Sequence, residues 1–199
     1  MGVTVPHVRG IVKEARDLKW VEVRKLLHSR WHEERLLGLL IMVAQAQRQK
    51  HDQAAVEQWC ERYLGERAAA NNWDLVDCSA EHLVGPWLLR ADAPATARRQ
   101  LVSLAKSDRL WDRRIAMVSH LYCVRQKRVD EVFDMAARLL GDKHDLMHKA
   151  VGWLLREAGK RDADKLRTFL RQHHKTMPRT ALRYAIEKFD KAERAKWMA

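Results

Sequence analysis

The breaks in this chain constrain it most. Short polar or Gly/Pro-bearing stretches fall at Gly2–Pro6, Ser29–His32, Gln49–Asp52, Ala69–Asn72, Ala91–Pro94, Ser107–Leu110, Gly141–Lys143 and Thr176–Pro178. The intervening segments carry apolar residues at helical spacing, in helices of about ten to eighteen residues. No extended alternation of Val, Ile and Thr announces a strand, and there are only 8 Gly and 4 Pro. The chain therefore reads as all-α.

The helices repeat in pairs. Segments opening at Trp31, Trp73, Trp111, Leu146 and Met177 begin with an aromatic or apolar residue after a polar break. Several continue with a basic residue and an Ala/Leu/Ile-rich run, as in Arg35-Leu36-Leu37, Arg114-Ile115-Ala116 and Lys149-Ala150-Val151. Spacings between openings drift from roughly forty to roughly thirty residues, within the looseness of helical arrays. A two-helix unit cannot bury its own apolar face, so neighbouring units must stack, and a small rotation per unit produces a curved solenoid. Equivalent positions then share an edge, which would align Arg35, Arg114 and Lys149 as a basic stripe. Pro6 suits the first turn of a helix running to about Leu18, and Lys188–Lys196 reads as a charged, solvated helical tail.

Charge narrows the partner. Lys and Arg total 38 against 26 Asp and Glu, a formal net charge of +12. That balance favours a polyanion, nucleic acid first. The longest apolar stretch, Leu36–Ala46, is too short to span a bilayer and is interrupted by Gln45. The first residues lack the apolar core of a signal peptide. The 3 cysteines, Cys60, Cys78 and Cys123, are scattered, form no CxxC pair and read as small buried hydrophobes. These features together predict a cytoplasmic protein.

The segment Trp73-Asp74-Leu75-Val76-Asp77 stands apart. Trp73 and Asp77 are one helical turn apart, so an indole and a carboxylate share a face. An aromatic ring beside an acid, in a basic protein, suits a site that holds a sugar and stabilises a cation next to a phosphate backbone. The same spacing also fits a helix cap or an ion-pair partner for Asp77. Other chemistries find little support. His32-Glu33-Glu34-Arg35 breaks the HExxH metal pattern, and no Gly-rich phosphate loop exists. His173-His174 reads as a solvated pair on a basic helix. His82, within two turns of Asp77, is a candidate supporting group.

Four segments, in order, resemble the AlkD-type bacterial DNA alkylation repair glycosylases, which are built from HEAT-like helical repeats. Gly2-Val3-Thr4-Val5-Pro6-His7-Val8-Arg9 is similar to that family's Gly-Val-x-x-Pro-x-x-Arg loop. Trp73-Asp74-Leu75-Val76-Asp77 is similar to its Trp-Asp-x-Val-Asp motif. Leu110-Trp111-Asp112-Arg113-Arg114-Ile115-Ala116 matches its Trp-x-x-Arg-x-Ala helix start. Lys149-Ala150-Val151-Gly152-Trp153-Leu154-Leu155-Arg156-Glu157 matches its Lys-Ala-x-Gly-Trp-x-Leu-Arg-Glu helix. The resemblance implies one domain over residues 1–199, a right-handed α-α superhelix of about five HEAT-like pairs with a concave basic face. It implies hydrolysis of the N-glycosidic bond of cationic N3- or N7-alkylated purines, with Asp77 as catalytic carboxylate. Trp73 and Trp153 would flank the lesion's deoxyribose and Arg114 would grip the backbone beside it. Arg35, Lys149 and Arg156 would contact the DNA backbone. Gly152, a poor helix former, would let Trp153's face approach a ligand.

The implied partner is double-stranded DNA bearing alkylated purines. The resemblance implies no cofactor, no metal, no membrane and a nucleoid-associated monomer. Relatives usually carry further helices before the Gly-Val loop, whereas this sequence starts at it; the expectation is a chain lacking those front helices. Lys143-His144-Asp145-Leu146-Met147 also lacks an aromatic pair found in some relatives. Two other readings remain open: a DNA-binding helical-repeat protein without catalysis, and a protein-interaction solenoid.

Overall fold

The computed structural model describes residues 2–199, all of its regular structure helical. The chain packs as two compact units, Met1–Ala97 and Arg98–Ala199.

The first unit holds α1 (Val5–Ala15), α2 (Trp20–Leu27), α3 (His32–Arg48), α4 (Gln53–Gly65), a 3-10 turn (Arg67–Ala69), α5 (Trp73–Asp77), α6 (Ala80–Leu83) and α7 (Gly85–Leu88). Pro6 lies in the first turn of α1, where its missing N–H costs nothing. The apolar run of the sequence becomes the core of α3: Leu36, Leu39, Ile41 and Met42 are buried there, against Val23 and Leu27 of α2. Asp52 caps α4, accepting from Ala54 N at 3.0 Å and Ala55 N at 3.3 Å. Arg62 of α4 lies over the rings of Trp20 and Trp59, at 4.9 and 4.8 Å from their centroids.

The break pattern predicts one long helix from Trp73 to about Arg90; the structure has three short ones instead. Two local causes suffice. Ser79 Oγ donates to the Leu75 carbonyl at 2.5 Å, and Ser79 takes φ −124°, off the helical path. Pro86 has no N–H for the carbonyl four residues back, and its ring crowds that turn, so the chain restarts at Gly85.

Helix α8 (Ala95–Ala105) leads into the second unit, which holds α9 (Leu110–Val118), α10 (Leu121–Arg125), α11 (Asp130–Leu139), α12 (Asp145–Gly159), α13 (Ala163–His173), α14 (Arg179–Ala185) and α15 (Lys191–Met198). Its core centres on α12, where Met147, Val151, Leu154 and Leu155 are buried, with Ile115 and Met117 of α9 and Leu182 of α14. Helices α12 and α14 approach closely because Gly152 lies at their crossing. A Cβ built there would meet Ala181 O and Tyr184 Cβ, both at 2.5 Å. Gly152 thus serves helix packing and does not open α12 to a ligand, which corrects the sequence expectation.

Two further expectations change. The tail is not simply solvated: Glu193 of α15 receives Arg167 Nε at 2.8 Å and Nη2 at 3.0 Å, and Trp197 meets His174 edge-on at 5.5 Å. His173 and His174 are therefore packing residues, with His173 against Phe169 at 4.5 Å and His174 Nδ1 donating to the Leu170 carbonyl at 2.8 Å.

Candidate DNA-repair site

Helix α5 is a single turn, and everything that fixes it comes from its neighbours. Asn72 opens it, its side chain accepting from Trp73 N at 2.7 Å. Leu75 and Val76 face inward and are fully buried. Asp74, between them and solvent, receives His32 Nε2 of α3 at 2.7 Å. At the C-terminal end Ser79 Oγ lies 3.1 Å from Tyr63 Oη of α4. With the two apolar residues pointed into the core, helical spacing turns Trp73 and Asp77 outward. Trp73 is 51% exposed, far more than a core indole. Asp77 is half-buried at the helix C-terminus, one turn on.

Cys78 is next in sequence; burial pushes its thiol up to about 12, assisted by the charges of Asp74 and Asp77, with Arg9 of α1 acting in the opposite direction. Arg9 belongs to the Gly-Val-x-x-Pro-x-x-Arg segment, so charge from the first motif acts on the second. His82 is half-buried on α6.

Arg35 projects from α3 toward the segment that precedes α5. Its Nη1 donates to the Ser29 carbonyl at 2.8 Å and its Nη2 to Asn71 Oδ1 at 3.2 Å. The guanidinium thus ties the approach to α3 to the segment preceding α5, and it is half-buried.

In the second unit Arg114 is not a surface charge: it is 4% exposed, and its Nη1 donates to the Leu146 carbonyl at 2.5 Å. This bond binds α9 to the first turn of α12. Lys149, one turn along α12, pairs with Asp145 at 2.7 Å. That pairing raises the Lys149 pKa, while the nearby Arg114 charge opposes the rise. Arg114 and Lys149 are therefore brought together. Trp153 follows one turn later on α12 and is half-buried. Arg156 is spoken for: it pairs with Glu157 at 3.2 Å and with Glu187. Trp111 is half-buried at the start of α9.

Sequence reasoning missed the residues that carry α5. His32, Asn72, Tyr63 and Ser79 lie in ordinary contexts, and only Asp74 stood inside a recognised motif. Among the described residues no group of three His, Cys, Asp or Glu side chains converges as a metal site, and no helix is long and apolar enough to cross a membrane.

No curated protein sequence matches the chain. A solved structure described as a predicted DNA alkylation repair enzyme from Enterococcus faecalis is similar in fold, with a TM-score of 0.67 at 16% identity, over 96% of this chain and 88% of that one. The family described as DNA alkylation repair enzyme matches residues 1–189, through both units. The chain belongs to the DNA alkylation repair enzyme family.

Proposed function

We propose that the protein is a monofunctional DNA glycosylase that releases cationic N3- or N7-alkylated purines from duplex DNA. The observation that carries this reading is the pair on α5: an exposed indole, Trp73, one helical turn from the carboxylate of Asp77, on a helix braced from behind.

The chemistry asks for little more. An alkylated purine already bears positive charge, so it leaves without protonation. The C1′–N bond breaks with its electron pair going to the purine nitrogen, which neutralises the base. Positive charge grows on the sugar. A water oxygen then bonds to C1′ and gives up a proton to the Asp77 carboxylate, which passes it to solvent. Asp77 stabilises the growing charge and orients that water. In a shielded site such an interaction supplies on the order of 3 kcal/mol, about a hundredfold in rate. Electron-rich indole faces attract a cationic sugar and need no base-specific hydrogen bond; Trp73 takes this role, and the resemblance assigns it to Trp153 as well. Lys149 supplies positive charge for the phosphate backbone, while the resemblance assigns a backbone grip to Arg114, which in this structure is buried and holds α9 to the first turn of α12. Arg35 and Arg156, committed to protein partners, contribute chiefly by holding their elements in place.

The test is base release from duplex DNA containing 7-methylguanine, measured for the wild type and Asp77→Asn. Release by the wild type, slowed about a hundredfold in the variant, supports the reading. No release by a folded wild type that still binds DNA would leave a binding protein without catalysis.

A further inference from the structure

A cleft of about 510 Å³ opens in the second unit, at the C-terminal end of α8, between α9, α11 and the loop 142–144. Leu139 forms part of its apolar floor, while Arg113, Arg138, Asp142, Lys143 and His144 line the remainder. The one carboxylate here is already neutralised. Asp142 Oδ2 receives Arg113 Nε at 2.6 Å, and its Oδ1 receives His144 N at 2.9 Å. Those bonds hold its pKa low despite burial. The neighbouring acid, Asp145, is taken by Lys149.

What remains is donor-rich. Arg138 and Lys143 are exposed at the cleft, and among the described residues neither has an ion-pair or hydrogen-bond partner. His144 Nδ1 accepts from Leu146 N at 3.2 Å, which leaves the ring's hydrogen on Nε2 as a third donor. A guanidinium fork, an ammonium and an imidazole N–H around a cleft with no uncommitted acid fit one chemistry, an oxyanion of the phosphate type.

The cleft also has a definite place. Adjacent residues of α9 grip one short segment: Arg113 holds Asp142, and Arg114 holds the Leu146 carbonyl. The cleft is thus the continuation, along residues 142–149, of the cluster containing Arg114 and Lys149.

We propose that this cleft binds a phosphodiester of the DNA backbone away from the damaged nucleotide, with Arg138 and Lys143 as its cationic contacts and His144 as a third donor. This inference rests on duplex DNA as the partner, and it does not require the base-release chemistry. Its cations lie open to water, so they suit a site occupied because the rest of a duplex is already bound. A small free phosphate would gain little there.

The experiment uses an undamaged duplex and needs no catalysis. Binding is measured against salt for the full chain, for Arg138→Gln/Lys143→Gln, and for Lys191→Gln/Lys196→Gln, which removes two charges from α15. Losing that one phosphate contact should reduce the slope of log affinity against log salt by about 0.9, and lower low-salt affinity about tenfold. The α15 variant should change the slope by much less. An unchanged slope in the cleft variant, or an equal change in both variants, overturns the proposal. A parallel titration with inorganic phosphate separates the sources: phosphate binding lost in the cleft variant, with the DNA slope intact, assigns the cleft to a small ligand and overturns it too. Because binding is read on undamaged DNA, the result stands whether or not the wild type releases methylguanine.

Discussion

His32 Nε2 lies 2.7 Å from Asp74 Oδ2, joining the first turn of α3 to the first turn of α5 across 42 positions of sequence. Asp74 is neither the exposed indole nor the outward acid, yet it fixes the single turn that presents both. Its own neighbours are dry: Asp74 Oδ1 is buried without a hydrogen-bond partner among the described residues. The bond from His32 therefore carries much of the compensation for placing a carboxylate there.

Removing it should be felt first as stability. His32→Ala leaves Asp74 half-buried and unpaired, at a cost of about 1–2 kcal/mol. For a chain of this size that is a fall of roughly 5 °C in thermal midpoint. Asp74→Asn, which keeps shape and one hydrogen bond, should lose less. An unshifted melting curve for His32→Ala would show that α5 is held by other means.

Trp73→Ala should behave in the opposite way. The side chain is 51% exposed, so folding should change by less than about 0.5 kcal/mol. Base release from methylated duplex should fall about tenfold, the worth of an indole face against a cationic sugar. Melting and single-turnover release measured on the same preparation separate the two effects.

Gly152→Ala tests the crossing of α12 and α14. The added methyl would stand 2.5 Å from the Ala181 carbonyl oxygen and from Tyr184 Cβ, neither of which can swing aside freely. Overpacking of this kind costs about 2–3 kcal/mol, more than the helix propensity gained by leaving glycine. A denaturant midpoint at or above the wild type would show that the two helices separate easily.

His120 gives the fold a pH dependence. It is buried, its Nδ1 donates to the Ala116 carbonyl at 2.8 Å, and burial lowers its pKa to about 4 from 6.5. Between those values the unfolded chain binds the proton and the folded chain does not. Stability from this group is therefore complete above pH 6.5 and declines as pH falls toward 4, by about 3 kcal/mol in all. Urea unfolding across that interval should show the slope, and His120→Gln should flatten it.

The thiols offer a chemical check. Burial pushes Cys60, Cys78 and Cys123 each up to about 12, so thiolate is scarce at pH 8. Iodoacetamide should label the native protein slowly and the urea-unfolded protein at all 3 cysteines within minutes. Fast native labelling of Cys78 would place it in an open, active environment.

Much of this was legible in the sequence where the chain uses strong punctuation. Pro6, Asp52 and Pro178 all stand where helices start, and the openings at Trp31, Trp73, Trp111, Leu146 and Met177 fall within two residues of α3, α5, α9, α12 and α14. Turns made of ordinary residues escaped. The chain reverses at Lys127, whose φ is +60°, with no glycine to announce it. The split of α5 to α7 depends on a serine hydroxyl bonding within its own chain, which composition does not reveal. In the candidate site, the one-turn spacing of Trp73 and Asp77 was readable from the sequence, and the roles proposed for them come from the family resemblance. The burial of Arg114 and the commitments of Arg35 and Arg156 depend on partners distant in sequence, and no local pattern carries those.

The brevity of α5 has a practical side. Five residues cannot sustain a helix by themselves, so the aim of Asp77 is set by Asn72, His32, Tyr63 and Ser79. If Asp77 acts as proposed, adduct range could be tuned from the rear, by adjusting those supports by fractions of an ångström while leaving Trp73 and Asp77 themselves untouched.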